Sequence, residues 1–246
     1  MDVKGKSVLI SGGGTGIGRS CALRLAALGA KIAVNYSRSA EEAAATVAEI
    51  LASGGKAVAI QADIAKDAEA RAMAERVIAE FGRIDVLINN AGRTHYIEMA
   101  DLDGVKEEQW DEIFNTNVKG TFLVTRACAS ALKEAGGCVV NVASIAGIRG
   151  TGSSLPYAVS KGAIITLTKG LARSLAPRVR VNAVAPGIVN TRWVAGKSDH
   201  IARLSEGTLL GRVAEADDVA EAILGLILHG DFITGQTIVV DGGYCL

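Results

Sequence analysis

Tyr157 and Lys161 stand four residues apart in Tyr157-Ala158-Val159-Ser160-Lys161. On a helix that spacing puts both side chains on one face. An ammonium beside a phenol favours phenolate, so Tyr157 is expected to titrate below the ordinary value near ~10. A phenol tuned in this way gives and takes protons near neutral pH. On a solvated helix face the same pair would do nothing. It needs a second feature that brings a reactant to it.

That feature is Ser11-Gly12-Gly13-Gly14-Thr15-Gly16-Ile17-Gly18, which follows the apolar run Val8-Leu9-Ile10 and opens the helical pattern Gly16–Leu28, closed by Gly29. Strand, glycine turn and helix is the context in which a pyrophosphate is bound. Glycines let the backbone approach the phosphates, and a helix N-terminus offers free N–H groups and the positive end of its dipole. The spacing Gly12, Gly16, Gly18 meets the G-x-G-x-x-G fingerprint only approximately.

Strand patterns lie at Val8–Ser11, Lys31–Asn35, Ala57–Gln61, Val86–Asn89, Cys138–Val142, Arg180–Ala183 and Thr237–Val240. Helical patterns separate them at Gly16–Leu28, Ala40–Ser53, Ala68–Phe81, Gln109–Lys133, Tyr157–Leu175 and Asp217–Leu228. Apolar strands alternating with helices predict an α/β fold, a parallel sheet covered on both faces, built by right-handed crossovers into three doubly wound layers. Ligands of such sheets lie at the carboxyl ends of the strands. There the sequence places Asn35, Asp63, Asn89-Asn90-Ala91-Gly92, Ser144 and Pro186-Gly187, all expected to face one crevice.

At 246 residues and 49% hydrophobic content, with no low-complexity linker, the chain reads as one domain spanning 1–246. A formal net charge of zero gives no electrostatic reason to expect nucleic acid or an anionic membrane. No apolar stretch reaches membrane-span length, and Met1 to Lys6 carry no signal core. Cys21, Cys128, Cys138 and Cys245 are scattered without a C-x-x-C pair. They read as reduced thiols of a cytoplasmic protein, with no metal site.

Together these motifs resemble the short-chain dehydrogenase/reductase family, and the resemblance spans nearly the whole chain. Its T-G-x-x-x-G-x-G pattern is met by Ser11-Gly12 through Gly18, with serine for threonine. Asn89-Asn90-Ala91-Gly92, Asn117 in Asn115-Thr116-Asn117-Val118, Ser144, Tyr157-x-x-x-Lys161, Pro186-Gly187 and Val240-Asp241-Gly242-Gly243 complete the set. The resemblance implies a Rossmann-type fold and hydride transfer with a nicotinamide cofactor. Tyr157 would exchange the proton and Ser144 would hydrogen-bond the developing oxyanion. Lys161 would hold the nicotinamide ribose, and Asn117 would position a water leading from Lys161 to solvent. Ser153 and Ser154 are nearer to Tyr157 in sequence and rival Ser144. Gly12, Thr15, Gly16, Ile17, Gly18, Asp63, Ile64, Asn90, Ala91, Gly92, Pro186, Gly187, Ile188 and Thr191 would contact the cofactor, Asp63 and Ile64 at its adenine. A non-catalytic dinucleotide sensor would be expected to lack Tyr157 or Lys161. A methyltransferase would carry an acidic residue after the second strand.

The end of the second strand reads Asn35-Tyr36-Ser37-Arg38, with no carboxylate to bond a ribose 2′-OH. Arg38 can pair with a 2′-phosphate and Ser37 can hydrogen-bond it, which favours NADP(H) over NAD(H). Arg19 is a weaker second candidate, and Glu41 and Glu42 read as first-turn residues that satisfy the helix dipole.

For the substrate, residues Thr191–Leu210 are expected to form a lid carrying Arg192, Trp193, Lys197, His200 and Arg203, interspersed with Asp199 and Glu206. Trp193 would line an apolar pocket, and Arg93 with Arg149 would recognise a carboxylate or phosphate. Asn35 to Arg38 and the carboxyl-terminal element bring the chain nearest to 3-oxoacyl-acyl-carrier-protein reductases. These commonly carry a basic pair for the carrier where Lys133-Glu134-Ala135-Gly136 stands here, although Arg173 still matches the second basic position. A free small ketone, sugar or polyol is the alternative substrate. Val118, Phe122, Ala129, Ala163, Leu167 and Leu171 give the two long helices more than one apolar face, which implies a homodimer or homotetramer. Tyr244-Cys245-Leu246 would pack at a further interface.

Overall fold

A computed structural model describes residues 1–192 and 205–246. The sheet strands are β1 (Ser7–Ser11), β2 (Lys31–Tyr36), β3 (Lys56–Gln61), β4 (Val86–Asn89), β5 (Cys138–Val142), β6 (Arg180–Pro186) and β9 (Thr237–Val240). They pair in parallel in the order β3-β2-β1-β4-β5-β6-β9. Two short strands, β7 (Val189–Asn190) and β8 (Ala214–Glu215), pair apart from them. The helices are α1 (Gly16–Ala27), α2 (Ala40–Ala52), α3 (Asp67–Phe81), α4 (Glu107–Phe114), α5 (Thr121–Ala135), α6 (Ala146–Arg149), α7 (Leu155–Leu175) and α8 (Ala216–Leu228).

Alternation along β1 explains the three layers. Val8 and Ile10 point to one face and meet Cys21 and Leu25 of α1, Ile50 of α2, and Val219, Ile223 and Ile227 of α8. Leu9 points to the other face and meets Met73 and Val77 of α3, Val124 and Leu132 of α5, and Leu171 of α7. Each face is covered by helices, so the central strands are buried throughout. The chain builds outward from β1 to β3, then returns to place β4 on the other side of β1. That reversal leaves a crevice beyond the carboxyl ends of β1 and β4, where such sheets bind ligands.

The strands are not apolar on every residue. Asn89 and Asn141 are register partners on β4 and β5. Asn89 Nδ2 donates to Asn141 Oδ1 at 2.9 Å and to Thr125 Oγ1 at 3.0 Å, and Asn141 Nδ2 donates to Thr168 Oγ1 at 2.9 Å. This buried network ties the sheet to α5 and α7. Asn89 therefore does not face the crevice, contrary to the sequence expectation. It is spent on holding the strands beneath it.

The stretch 109–133, expected as one helix, is α4, a π-helical segment at Asn115–Gly120, and α5. A π turn takes in one residue more than an α turn, a change that hydrophobic periodicity barely registers. The Thr121 hydroxyl bonds the Asn117 carbonyl at 2.7 Å. Gly120 admits Ile64 against the backbone, since a Cβ there would lie 2.9 Å from the Ile64 side chain. Helix α7 starts two residues before the expected Tyr157. Ser154 caps it through the Tyr157 N–H at 3.4 Å, and Pro156 is tolerated in the first turn.

Candidate active site

The crevice has a volume of about 1630 Å³, beyond the roughly 300–1,000 Å³ of an ordinary small-molecule pocket, so it has room for a dinucleotide and a second reactant. Gly12, Thr15, Gly16 and Ile17 line it from the first turn, and Ser37 and Arg38 from the end of β2. Asp63 and Ile64 line it after β3, and Asn90, Ala91 and Gly92 after β4. Ser144, Tyr157 and Lys161 close the other end, and Pro186, Gly187, Ile188 and Thr191 line it beyond β6, Thr191 against Gly16. Gly18 and Asn117 stand behind this lining.

The glycine loop fits a dinucleotide pyrophosphate. Gly12 holds φ +62°, a left-handed conformation that side chains resist. A Cβ on Gly18 would fall 2.4 Å from the Gly12 carbonyl oxygen, so α1 starts tight against the loop only because Gly18 has none. The first backbone bond of α1 runs from Arg19 N–H to the Thr15 carbonyl, leaving the preceding N–H groups at the helix start for an anion. Asn35 lines the crevice and also clamps the loop. Its Oδ1 accepts the Gly12 N–H at 3.4 Å and its Nδ2 donates to the Ala62 carbonyl at 3.0 Å.

At the opposite end the Ser144 hydroxyl hydrogen-bonds the Tyr157 phenol. Ser144 Oγ also accepts the Ala146 N–H at 3.1 Å, so the serine caps its own turn as well as meeting the tyrosine. Lys161 is buried and donates to the Val142 carbonyl at 2.8 Å, with its Nζ 5.7 Å from the Tyr157 ring centroid. Ser153 and Ser154 do not replace Ser144. Ser154 is the α7 cap, and Ser153 pairs with the Thr94 hydroxyl.

The electrostatics correct one expectation. Burial pushes the Tyr157 phenol up to about 12; the Ser144 hydrogen bond only partly opposes this, and the nearby Tyr96 adds to it. Burial pushes Lys161 down to about 8. The ammonium does not bring the free phenol toward neutral pH, because both groups lose solvation together and the lysine is aimed at a backbone carbonyl. What results is a phenol that stays protonated across the physiological range, beside an amine that is charged below about pH 8.

Asn117 forms a latch. Its Oδ1 accepts the Arg93 N–H at 2.7 Å, and its Nδ2 donates to the Arg93 carbonyl and the Ser160 hydroxyl at 3.0 Å each. The π-helical turn thus grips the strand-end segment beside Lys161. Asp63 Oδ1 accepts the Ala65 N–H at 3.0 Å, organising the turn before α3 while the residue lines the crevice.

Other candidates move. Arg19 ion-pairs with Glu49 and lies outside the lining, because α1 carries it toward α2. Arg149 stacks on the Tyr244 ring at 4.9 Å and is not itself among the crevice-lining residues, so it does not join Arg93 there. Arg93 does line the crevice, but pairs with Glu112 at 2.8 Å. Glu42 pairs with Arg192 at 2.8 Å instead of serving the dipole alone. Trp193, Lys197, Asp199, His200 and Arg203 fall outside the described residues. Tyr96, Thr208 and Tyr244 line the crevice without having been singled out for it. Tyr244 follows the Asp241-Gly242-Gly243 element but was expected at an interface, Thr208 lies in the stretch read as a lid, and Tyr96 sits in a stretch with no motif.

The matching family model, described as Enoyl-(Acyl carrier protein) reductase, spans residues 12–245. A protein named as ketoacyl reductase 2 of the granaticin polyketide synthase, from Streptomyces violaceoruber, is 45% identical over 240 residues, 96% of this chain and 94% of its own. The 3-oxoacyl-acyl-carrier-protein reductase FabG of Staphylococcus epidermidis is 40% identical over 242 residues, 97% of this chain and 98% of its own. A short chain dehydrogenase from Burkholderia cenocepacia, solved in complex with NADP, superposes with a TM-score of 0.92 at 37% identity, covering 100% of both chains. Glycine turn, Ser144–Tyr157 contact, buried Lys161 and full-length similarity agree: the chain belongs to the short-chain dehydrogenase/reductase family and is an NAD(P)-dependent oxidoreductase.

Proposed function

We propose that this protein reduces a ketone with NADPH, and that the ketone is a 3-oxoacyl thioester converted to its 3-hydroxy product. The contact of Ser144 with Tyr157 beside buried Lys161, at one end of the crevice that the glycine loop closes at the other, carries this reading. The relatives named as ketoacyl and 3-oxoacyl reductases support the thioester. Residues 1–246 act as one NAD(P)-binding domain. The protein works as a homotetramer or homodimer, and the exposed Phe122 on α5 and Val159 on α7 support a partner on those helices.

When bound, the nicotinamide supplies the hydride. Ser144 and Tyr157 hydrogen-bond the carbonyl oxygen as it gains charge, and Tyr157 gives it a proton. A phenol titrating near 12 suits the reductive direction, since it holds its proton until the oxyanion takes it. The resulting phenolate is stabilised by the Lys161 cation, and Lys161 also holds the ribose hydroxyls. Asn117 fixes the Arg93 segment beside them and leads to solvent through a water. Gly12, Thr15, Gly16, Ile17 and Gly18 hold the pyrophosphate with Thr191 across from them. Asp63 and Ile64 hold the adenine. Asn90, Ala91, Gly92, Pro186, Gly187 and Ile188 flank the rest of the cofactor.

Purified protein should consume NADPH with acetoacetyl thioesters of coenzyme A and acyl carrier protein faster than with simple ketones. No thioester turnover by protein that binds NADPH would overturn the substrate assignment. A free ketone, sugar or polyol is the second reading, and Glu134 favours it: it sets a carboxylate beside Lys133 at the end of α5, where a carrier would want only positive charge.

Arg38 is exposed at the crevice and forms no ion pair among the described residues, so its charge is available to a 2′-phosphate. Arg38→Ala should raise KM for NADPH by about tenfold or more, the scale of a lost charge-assisted pair, while moving KM for NADH little. Equal effects on both would remove the phosphate role.

Lys161 predicts a pH dependence. Below about 8 it is charged and stabilises the phenolate left by proton transfer; above that it is neutral and the stabilisation is lost. The kcat/KM for reduction should therefore be level through neutrality and fall at or just above pH 8. A profile level to pH 10 would show that the lysine charge plays no part.

A further inference from the structure

We infer that Arg192 is a specificity residue for the 2′-phosphate, acting by masking the Glu42 carboxylate. This rests on the NADP(H) reading of Ser37 and Arg38. Arg192 follows Thr191 and reaches back across the crevice to a segment 150 residues earlier. Its Nη1 donates to Glu42 Oε1 at 2.8 Å and its Nη2 donates to Ser39 Oγ at 2.9 Å. Ser39 occupies the N-cap position of α2, yet its hydroxyl caps no helix N–H and is given to Arg192 instead. Arg192, Ser39, Arg38 and Ser37 all line the crevice.

The charges explain the arrangement. Glu42 lies in the first turn of α2, just past the Ser37-Arg38 segment at the end of β2. Unmasked, Glu42 would do two things against a 2′-phosphate: repel it, and draw off Arg38. With Arg192 holding Glu42, Arg38 has no ion-pair partner among the described residues and remains available. Neither Glu41 nor Glu42 lines the crevice, but Glu42 is held by Arg192, which does line it and also bonds crevice residue Ser39. The Arg192–Glu42 pair is half-exposed and contributes little to folding, as surface pairs do, so its removal leaves the fold intact.

The test is calorimetric titration of NADP⁺ and NAD⁺ into wild type, Arg192→Ala, Glu42→Gln and the double variant. Arg192→Ala should weaken NADP⁺ about tenfold, the effect of uncovering one carboxylate next to the Ser37–Ser39 end of the crevice, and should leave NAD⁺ within about twofold. Adding Glu42→Gln should restore most of the NADP⁺ affinity, because the group that Arg192 masks is then neutral. Equal weakening of both cofactors would make Arg192 a strap over the crevice, and failure of Glu42→Gln to restore binding would exclude masking. Either result overturns the inference. Failure of the underlying reading looks different: wild type would bind both dinucleotides alike and Arg38→Ala would show no preference.

Discussion

Tyr157→Phe should lower kcat for carbonyl reduction by about 10²–10⁴-fold, the usual scale for losing a positioned proton donor, and leave NADPH bound nearly as tightly. The phenylalanine ring fills the same space at the start of α7, so the helix and its Ser154 cap persist. Only the hydroxyl disappears, and with it the hydrogen bond from Ser144 and the proton for the substrate oxygen. The crevice lining at the glycine loop and the end of β2 is untouched. Stopped-flow turnover and NADPH fluorescence titration separate the two effects. Full activity in this variant would remove Tyr157 from the chemistry.

Gly147→Ala should be almost as damaging, although Gly147 does not line the crevice. A Cβ there would lie 2.3 Å from the Gly162 nitrogen and 2.4 Å from the Lys161 carbonyl carbon. Both are backbone atoms of α7, so neither can swing aside. The short helix α6 must move away from α7, and Ser144 moves with it, three residues before Gly147. Misplacement by about an ångström costs on the order of 10²-fold in rate. We expect that loss in kcat/KM together with a lower Tm. Gly170→Ala on the exposed face of the same α7 is the control. Nothing lies within 4 Å of its Cβ, so activity should hold and stability should rise by up to about 1 kcal/mol from helix propensity. Wild-type activity in Gly147→Ala would show that the α6–α7 contact does not position Ser144.

These variants mark what was legible in the chain before folding. Strand and helix periods depend on which residues are apolar, and Val8, Leu9 and Ile10 announce a strand buried on both faces. Motif spacing was legible for a similar reason: Tyr157 and Lys161 are joined by one helical turn, and the glycine loop is contiguous. Gly147 was not legible, because its partner Gly162 belongs to another helix and only packing shows how close they come. Nor was the partnering of charges. Arg19, Arg149 and Glu42 each carry a formal charge in the sequence, but Glu49, Tyr244 and Arg192 claim them only in the fold. The tyrosine's acidity was misjudged because spacing brings the lysine near yet says nothing of the shared burial that outweighs it.

The π-helical turn at Asn115–Gly120 has the signature of a single added residue. Deleting one residue, Val118 for example, would let α4 and α5 merge into an unbroken α-helix with regular hydrogen bonding. The flanking helices would keep their faces, because the π turn absorbs the extra residue locally, but the residues inside the turn, Asn117 among them, would be repositioned. Asn117 would lose its grip on Arg93 and Ser160, and the strand-end segment beside Lys161 would be left unheld. Such a shortened chain is a case where a better helix makes a worse enzyme. Chain length at this one point, as much as residue identity, is part of what the active site requires.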